Sequence, residues 1–366
     1  MLRLPRPVAI TMWDFSWLER RWPGAGYESW PQALDALAER GYDAVRIDAY
    51  PHLLATDPRR EWELLPCWSV LDWGAPMKCR VRDVGRNLCE FVRACRDRRI
   101  RVALSTWFRQ DRDDVRAAIT DAAHHARIWV ATLELLDREG LLDAVLFVDL
   151  CNEWPMEQWA PFFKHHSKDL NNGNTPESHA WMRRSIEAVR ERFPQLPCTF
   201  SFWPQTESEA DFGWIDLFEP HVWMAQQRGF YPRFGYAYEK FDTSGLEKLA
   251  AHGERTYRTD PAYWHAGLTG KIDRYAALSR RTGRGLVTTE CWGVVDYKDG
   301  PLLDWGWVKE VCDLGTRHAA ATGRWLGVAT SNFCGPQFHG MWRDVAWHQR
   351  LTAAIKSAPL DLDLRS

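Results

Sequence analysis

The sequence lacks long apolar runs and clusters of basic residues. No segment approaches the roughly 18 consecutive apolar residues that a membrane-spanning helix requires. The 47 Lys and Arg residues are balanced by 49 Asp and Glu residues, and the net charge is −2. Because nucleic acids and acidic membranes attract proteins through positive charge, the sequence predicts a soluble protein with neither of these partners.

Paired cysteine motifs are absent as well. The nine cysteines are scattered, and no two have the CxxC spacing of a metal or redox site. An odd number of isolated cysteines favours free thiols in a reducing compartment. The N-terminal segment, Met-Leu-Arg-Leu-Pro-Arg-Pro, runs directly into a predicted strand and leaves no room for a signal peptide. We therefore expect a cytoplasmic protein, or a secreted one if a signal peptide has been removed.

Linkers between domains are also missing. No Gly/Ser-rich or Pro-rich segment divides the 366 residues, and eight apolar, strand-like runs alternate with helical ones. Near-continuous apolar runs are typical of parallel strands that are buried on both faces. The pattern predicts an α/β fold, a single (β/α)8 TIM barrel that forms one catalytic domain over residues 1–366. The predicted strands are 8–13, 44–49, 100–106, 144–150, 198–202, 215–218, 285–289 and 326–330.

Long segments follow four of the predicted strands. Since the active sites of such barrels lie at the carboxyl ends of the strands, these loops are expected to surround the site. The predicted loops are 50–82, 151–175, 219–240 and 291–303. Helical periodicity and start signals predict helices at 31–40, 111–138, 175–192, 304–321 and 342–356.

Tryptophan is the residue type that the sequence has in excess, with 22 copies. An indole offers a flat apolar face and one N–H donor, which suit the C–H surface of a sugar ring. Two strand-like segments carry a glutamate flanked by tryptophan. Glu153 lies in Val-Leu-Phe-Val-Asp-Leu-Cys-Asn-Glu-Trp, and Glu290 lies in Gly-Leu-Val-Thr-Thr-Glu-Cys-Trp-Gly. Paired carboxylates that face one another across a barrel are the working groups of glycoside hydrolysis.

Further polar and aromatic residues occupy equivalent positions at the ends of predicted strands. Arg46, on the second strand, is the natural candidate for keeping Glu290 ionised. The amide of Asn152, next to Glu153, is suited to a sugar hydroxyl. The strand-end residues predicted to contact substrate are Asp14, Arg46, Trp107, Asn152, Trp203, His221, Trp223, Trp292 and Asn332.

The arrangement of Asn152-Glu153 after the fourth strand, Glu290 on the seventh and Arg46 on the second resembles the cellulase-like clan of retaining (β/α)8 glycoside hydrolases. The resemblance extends over essentially the whole chain. It implies that Glu153 is the acid/base and Glu290 the nucleophile. It also implies that Arg46 orients and charges the nucleophile, that His221 lies near the acid/base, and that Asn152 contacts the sugar 2-hydroxyl. No metal or organic cofactor is expected.

Two positions depart from the pattern of the clan. The sixth strand reads His221-Val222-Trp223, so the tyrosine that contacts the nucleophile in the clan is missing at 223. Trp107 replaces a histidine that many cellulase-type members carry after the third strand. These changes loosen the match to ordinary cellulases and mannanases but leave the two glutamates intact. They favour a specialised or exo-acting enzyme that cleaves a β-linked glycoside by double displacement. The sugar and the oligomeric state stay open.

Two other functions compete with this one. A metal-dependent sugar isomerase or hydrolase on the same barrel would gather its ligands around a divalent cation. The residues available for that are Asp48, Glu153, Glu219, His221 and Glu290. No H-x-H or H-E-x-x-H spacing supports a metal site, and Arg46 would repel a cation. The second alternative is a non-catalytic carbohydrate-binding barrel, because a fold does not imply a function.

Overall fold

Eight parallel strands form the centre of the protein. The computed structural model describes residues 1–67, 79–163, 172–237, 242, 244–297 and 304–366. The strands are β1 (Val8–Asp14), β2 (Ala44–Asp48), β3 (Arg101–Ser105), β4 (Val145–Asp149), β5 (Cys198–Thr199), β6 (Leu217–Phe218), β7 (Gly285–Thr288) and β8 (Trp325–Val328). They pair in the order β5-β4-β3-β2-β1-β8-β7-β6, so each strand lies beside its neighbours in sequence. A parallel bridge between Ser201 and Glu219 joins the two remaining edges. The predicted (β/α)8 barrel is confirmed, with β5 and β6 shorter than expected.

The side chains of β2 illustrate how the barrel uses its two faces. Successive side chains of a strand point in opposite directions. Val45 and Ile47 belong to the large core shared with the surrounding helices, whereas Ala44 packs in a second cluster with Ile10 of β1. Arg46 shares the face of Ala44 and is completely buried. The alternation of side-chain direction along β2 therefore places the guanidinium group of Arg46 inside the barrel.

Helices surround the strands. The longer ones are α1 (Trp30–Glu39), α2 (Val84–Asp97), α3 (Ala122–Arg138), α4 (Pro176–Arg192), α5 (Ser244–Thr259), α6 (Pro261–Thr282), α7 (Gly306–Ala321) and α8 (Val345–Ser357). Shorter helices span Ser16–Glu19, Pro51–Thr56 and His339–Trp342. The connection from β5 to β6, residues 200–216, contains no helix. Within the described ranges, every helix is too short or too polar to cross a bilayer.

The start of α3 differs from the prediction. The helix begins at Ala122, because the side chain of Asp121 accepts a hydrogen bond of 2.8 Å from the N–H of His124 and so caps the first turn. The expected start at residue 111 is wrong. The carboxylate of Asp111 instead accepts hydrogen bonds from the backbone of Asp113 and Val115, which form a separate turn. The other four predicted helices are present with small shifts at their ends.

The long loops carry secondary structure of their own. The loop after β2 contains the helix Pro51–Thr56 and an antiparallel pair of strands, Trp62–Leu64 with Cys79–Val81. The loops after β6 and β7 are joined by a parallel pair, Val222–Trp223 with Cys291–Trp292. Because the N–H of Val222 donates to the carbonyl of Glu290 at 3.1 Å, this pair holds the ends of β6 and β7 side by side.

Candidate active site

Glu153 lies in the turn that follows β4. Its φ is +47°, a left-handed conformation that costs free energy for a non-glycine residue and is often retained at functional sites. The backbone N–H of Glu153 donates to the hydroxyl of Ser201 at 2.7 Å. Oε1 lies 3.1 Å from Nδ1 of His221, and Oε2 accepts a hydrogen bond of 3.3 Å from the indole of Trp159. The carboxylate is thus fixed on both oxygens while staying 15% exposed.

Glu290 lies directly after β7 and is only 3% exposed. Its Oε2 lies 3.5 Å from the same Nδ1 of His221, and its Oε1 lies 3.7 Å from Nη1 of Arg46. No residue in the described part of the chain donates a hydrogen bond to Oε1. One oxygen of Glu290, one of Glu153 and a ring nitrogen of His221 lie within 4.8 Å of one another. The structure therefore brings the two glutamates together.

Arg46 is the buried cation of the site. Its Nη2 forms ion pairs with Asp149, at the end of β4, and with Glu219, 3.5 Å away and just past β6. Burial lowers the pKa of the guanidinium, but the charges of Glu219, Asp149 and Glu290 outweigh this and raise it above its ordinary value. Arg46 is therefore permanently charged, and three carboxylates from β4, β6 and β7 converge on it.

Neutral groups complete the surroundings of Arg46. Nη1 donates to the hydroxyl of Thr289 at 3.0 Å, and Nη2 donates to Ser105 at 3.0 Å and to Oδ1 of Asn152 at 2.8 Å. The guanidinium carbon lies 4.7 Å from the ring centroid of Trp107, a cation–π contact. Trp107, which replaces the histidine expected after β3, thus covers the charged centre with an aromatic face.

His221 contacts a carboxylate through each of its ring nitrogens. Nδ1 faces both Glu153 and Glu290, and Nε2 lies 3.4 Å from Oε2 of Glu219. Burial lowers the pKa of the imidazole, but the charges of Glu290 and Glu219 and the contact with Glu153 raise it to about 10. His221 is therefore an imidazolium at neutral pH, a second cation beside the two glutamates.

The protonation of Glu290 differs from the expectation. Arg46 was expected to keep this carboxyl ionised, and both Arg46 and His221 do lower its pKa. Burial acts more strongly, and together with the charge of Glu153 it raises the pKa of Glu290 to about 8. Glu290 and His221 are close enough for their titrations to be linked, so the two groups titrate together rather than independently.

Besides Arg46 and His221, three residues predicted to contact substrate present buried polar atoms with no hydrogen-bond partner among the described residues. These atoms are Nδ2 of Asn152, Nε1 of Trp223 and Oδ1 of Asn332. Leaving such an atom unsatisfied costs about 1–3 kcal/mol. Trp223 stands edge-on to His221 at 5.5 Å between ring centroids. Its indole N–H does not donate to Glu290, so it does not replace the missing tyrosine in this structure.

Trp203 lies on the other side of His221. Its indole N–H donates to the backbone carbonyl of His221 at 2.9 Å, and the two rings are edge-on at 5.8 Å. Trp203 is only partly buried, so part of the residue is accessible to solvent. Among the predicted tryptophans, it is the one whose exposure and position best suit contact with a sugar.

The position of Trp292 does not support its predicted contact with substrate. The indole is fully buried, its N–H donates to the carbonyl of Ala329 at 2.8 Å, and it stands edge-on to Trp325. A Cβ atom added to Gly315 of α7 would lie 2.6 Å from the ring. Trp292 is therefore a core residue between the barrel and α7, and an isolated sequence cannot distinguish such a tryptophan from one that lines a cleft.

Asp14 stabilises the turn after β1. Its Oδ1 accepts a hydrogen bond of 2.6 Å from the N–H of Ser16. Burial raises the pKa of its carboxyl to about 8, which the hydrogen bonds from Ser16 only partly offset. Asp48 has a similar role, because its two oxygens accept the N–H groups of Tyr50 and Trp107 at 2.7 and 2.9 Å.

The metal-site hypothesis loses one ligand in this geometry, since Asp48 uses both oxygens for backbone contacts. Glu153, His221 and Glu290 are close enough to hold an ion. However, His221 is positively charged and Arg46 lies 3.7 Å from Glu290. Both of these positive charges would repel a metal cation bound between the two glutamates.

Comparison with known proteins shows the family of the chain. A family model described as "Cellulase-like: Sugar-binding cellulase-like" matches residues 10–356. The chain belongs to the sugar-binding cellulase-like family. A crystal structure of a Parabacteroides distasonis protein, described provisionally as a glycoside hydrolase, is 51% identical with a TM-score of 0.94, covering 98% of this chain and 96% of that one. Among curated proteins, none matches.

More distant structures share the fold of this family. A GH5_18 protein from Streptomyces cattleya, in complex with GlcNAc, is 16% identical with a TM-score of 0.52, covering 98% of this chain and 83% of that one. A GH5_18 protein from Bifidobacterium longum subsp. infantis is 14% identical with a TM-score of 0.51, covering 98% and 81%. The resemblance to the cellulase-like clan is confirmed, and with it the predicted enzyme class, a glycoside hydrolase.

Proposed function

We propose that this member of the sugar-binding cellulase-like family is a retaining glycoside hydrolase that cleaves a β-linked glycoside, with one catalytic domain over residues 1–366. The observation that carries the proposal is the position of His221 Nδ1, 3.1 Å from Glu153 and 3.5 Å from Glu290. Oxygens of the two glutamates lie within 4.8 Å. This spacing favours the retaining arrangement, at about 5–5.5 Å between carboxyl groups, over the inverting one at about 6.5–9.5 Å.

In the first step, Glu290 attacks the anomeric carbon as the bond from that carbon to the leaving oxygen breaks. Glu153 gives its proton to the departing oxygen, so the leaving group departs as an alcohol. The charges of Arg46 and His221 stabilise the carboxylate of Glu290 before the attack. The product of this step is an ester between the sugar and Glu290.

In the second step, Glu153 takes a proton from water as the water oxygen attacks the anomeric carbon. The ester bond breaks, and Glu290 leaves as a carboxylate. Two inversions at the same carbon give net retention. Glu153 ends the cycle protonated again, with a proton from water in place of the one that left with the alcohol.

The mechanism requires one proton on the pair of glutamates. In the empty site burial raises the pKa of Glu290 to about 8, so the pair retains a proton at neutral pH. The productive form carries this proton on Glu153. Nδ1 of His221 faces both carboxylates, and its positive charge lets either of them ionise.

Substrate contacts are assigned to groups left free at the strand ends. The unpartnered Nδ2 of Asn152 is suited to the sugar 2-hydroxyl, and Oδ1 of Asn332 to another hydroxyl. Trp203, Trp223 and Trp107 supply aromatic surface around the charged centre, and Asp14 lies at the end of β1. The departures at Trp107 and Trp223 favour a specialised or exo-acting enzyme.

The test is a panel of aryl β-glycosides that differ in the sugar, with NMR identification of the anomer formed first. We expect hydrolysis of at least one member with retention of configuration, and loss of turnover in Glu153→Gln and Glu290→Gln. Glu157→Gln, an exposed glutamate in the same loop, is the matched control. Inversion would contradict the double displacement. Loss of activity with a chelator would favour the metal-dependent alternative. If both variants left every measured property unchanged, the binding-only alternative would be favoured.

A further inference from the structure

Glu219 is a completely buried carboxylate just past β6 that the double-displacement steps do not use. Its Oε1 accepts two hydrogen bonds from Thr289, one from the backbone N–H at 3.2 Å and one from the hydroxyl at 2.6 Å. Because Thr289 immediately precedes Glu290, these bonds tie Glu219 to the strand end that carries the second glutamate. They also fix the orientation of the carboxylate, so that Oε2 points toward the centre of the site.

Oε2 of Glu219 faces two cations. It lies 3.4 Å from Nε2 of His221 and 3.5 Å from Nη2 of Arg46. Neither Oε2 of Glu219 nor Nε2 of His221 has a hydrogen-bond partner among the described residues. Nε2 therefore faces the charge of Glu219 with no competing hydrogen bond from a described residue. A carboxylate at this place favours a proton on Nε2, and the opposite side of the ring is held toward the two catalytic glutamates.

We propose that Glu219 is a positioning residue that holds His221 as a doubly protonated ring, with its Nδ1–H directed at the space between Glu153 and Glu290. This inference rests on the proposed function for its catalytic consequence. The protonated ring of His221 takes the place of the tyrosine hydroxyl that is missing at position 223 of the sixth strand. The negative charge of the nucleophile is stabilised by an imidazolium that Glu219 maintains, in place of a phenol.

The other charged groups around His221 do not provide this effect. Glu153 and Glu290 both contact Nδ1 and leave Nε2 to Glu219. Asp149 pairs with Arg46 and accepts the backbone N–H of Ser201 at 2.7 Å. Asp149 therefore offers a matched control, since it is a buried partner of the same guanidinium that has no described ion pair with His221.

The variant Glu219→Gln removes the charge and keeps the shape. Thr289 donates two hydrogen bonds to Oε1, so the glutamine carbonyl is expected at that place and its NH2 group toward His221. An NH2 group repels a protonated Nε2 and accepts nothing from it. Loss of a charge at this distance is expected to move the titration of His221 by about one to three pH units to lower pH.

The experiment is NMR of the enzyme labelled with 15N-histidine, with the signals of His221 identified by their loss in His221→Gln. In the wild type we expect both ring nitrogens of His221 to be protonated at neutral pH. In Glu219→Gln we expect the titration of His221 to move to lower pH, and kcat to fall while KM changes little. Glu219→Asp restores part of the shift, and Asp149→Asn leaves the titration of His221 in place.

The outcomes separate the inference from the proposed function. A neutral ring in the wild type would overturn the inference without any variant, even if Glu219→Gln failed to fold. Equal shifts in Glu219→Gln and Asp149→Asn would also overturn it, because they would indicate a general loss of order around Arg46. If no glycoside were hydrolysed, the NMR result would still decide whether Glu219 holds His221, and only the catalytic consequence would fall.

Discussion

Nη1 of Arg46 lies 3.7 Å from Oε1 of Glu290 and donates its hydrogen bond elsewhere, to the hydroxyl of Thr289. Oε1 thus meets a positive charge while no described residue donates a hydrogen bond to it. An oxygen that is stabilised by charge but keeps its lone pairs free is well suited to attack a carbon atom. This relationship distinguishes Glu290 from Glu153, whose two oxygens are both in hydrogen bonds, with His221 and with Trp159.

The first prediction concerns the stereochemistry of rescue. Glu290→Ala should lose activity on the order of 10⁴-fold or more, because no glycosyl ester can form. Azide added to this variant can attack only from the face that Glu290 has vacated. We expect the product to be a glycosyl azide of inverted configuration, identified by NMR, and retention should not be restored.

Glu153→Ala is the counterpart of that experiment. The ester on Glu290 still forms when the leaving group is a good one, and azide then attacks it in the second step. The glycosyl azide should therefore have retained configuration. Near-normal turnover in Glu290→Ala would contradict a catalytic role for Glu290. The opposite pairing of variants and anomers would reverse the roles assigned to the two glutamates.

The second prediction concerns the pH dependence of kcat/KM. Since burial raises the pKa of Glu290 to about 8 and the pair must hold one proton, activity should decline above about pH 8 as that proton is lost. In Glu153→Gln, assayed on a substrate with a good leaving group, this alkaline limb should disappear. Glu157→Gln should retain it. A wild-type profile that already falls above about pH 5 would mean that the pair holds no proton at neutral pH.

The third prediction separates packing from substrate contact among the tryptophans. Trp292→Ala should lower the free energy of unfolding by about 3–5 kcal/mol, because it leaves a large cavity beneath α7. Urea unfolding measures this loss. Trp22→Ala removes a residue that is 41% exposed and should change stability by only about 0.5 kcal/mol. If Trp292→Ala had normal stability and a raised KM, the result would support the predicted contact of Trp292 with substrate.

The fourth prediction concerns stability and pH at Asp14. Its pKa is raised from 3.8 to about 8 by burial, so the folded protein keeps a proton that the unfolded chain releases above about pH 4. The contribution of this group is complete at low pH and is lost as the pH rises to 8. Asp14→Asn cannot ionise. Its stability relative to wild type should therefore rise with pH over that range, by at most about 1.4 kcal/mol per pH unit.

Thermal or urea unfolding of Asp14→Asn and wild type at several pH values measures this slope. Asp137→Asn, on the exposed side of α3, is the control and should show no such rise. A pH-independent difference between Asp14→Asn and wild type would mean that Asp14 is ionised in the folded protein across the range.

The barrel could be predicted from the sequence because its strands are apolar on both faces, and this pattern does not depend on contacts distant in the chain. Glu153 and Glu290 could be singled out because each ends such a strand. The start of α3 was missed, since Asp111 and Asp121 are both acceptable helix caps and only the fold decides between them. The burial of Trp292 could not be predicted for a similar reason, because it depends on packing against Gly315, which belongs to a later helix.

Asp149 and Glu219 show most clearly which site residues could not be predicted from the sequence. Each is an acidic residue at the end of an apolar run, and the sequence alone ranks it below Glu153 and Glu290, because a single such residue is more often structural than substrate-binding. Their importance depends on Arg46, which reaches both from another strand. Burial likewise sets the pKa of Glu290, and no local pattern reports how completely a carboxyl is enclosed.

The bridge between Ser201 and Glu219 closes the barrel with the two shortest strands, and the same two residues serve the site. The hydroxyl of Ser201 accepts the N–H of Glu153, and its carbonyl accepts the N–H of Trp154. Ser201 therefore lies between the seam on one side and the backbone of Glu153 on the other. Amide hydrogen exchange at the seam should therefore slow when a sugar is bound, because the residues that close the barrel also hold Glu153 in place.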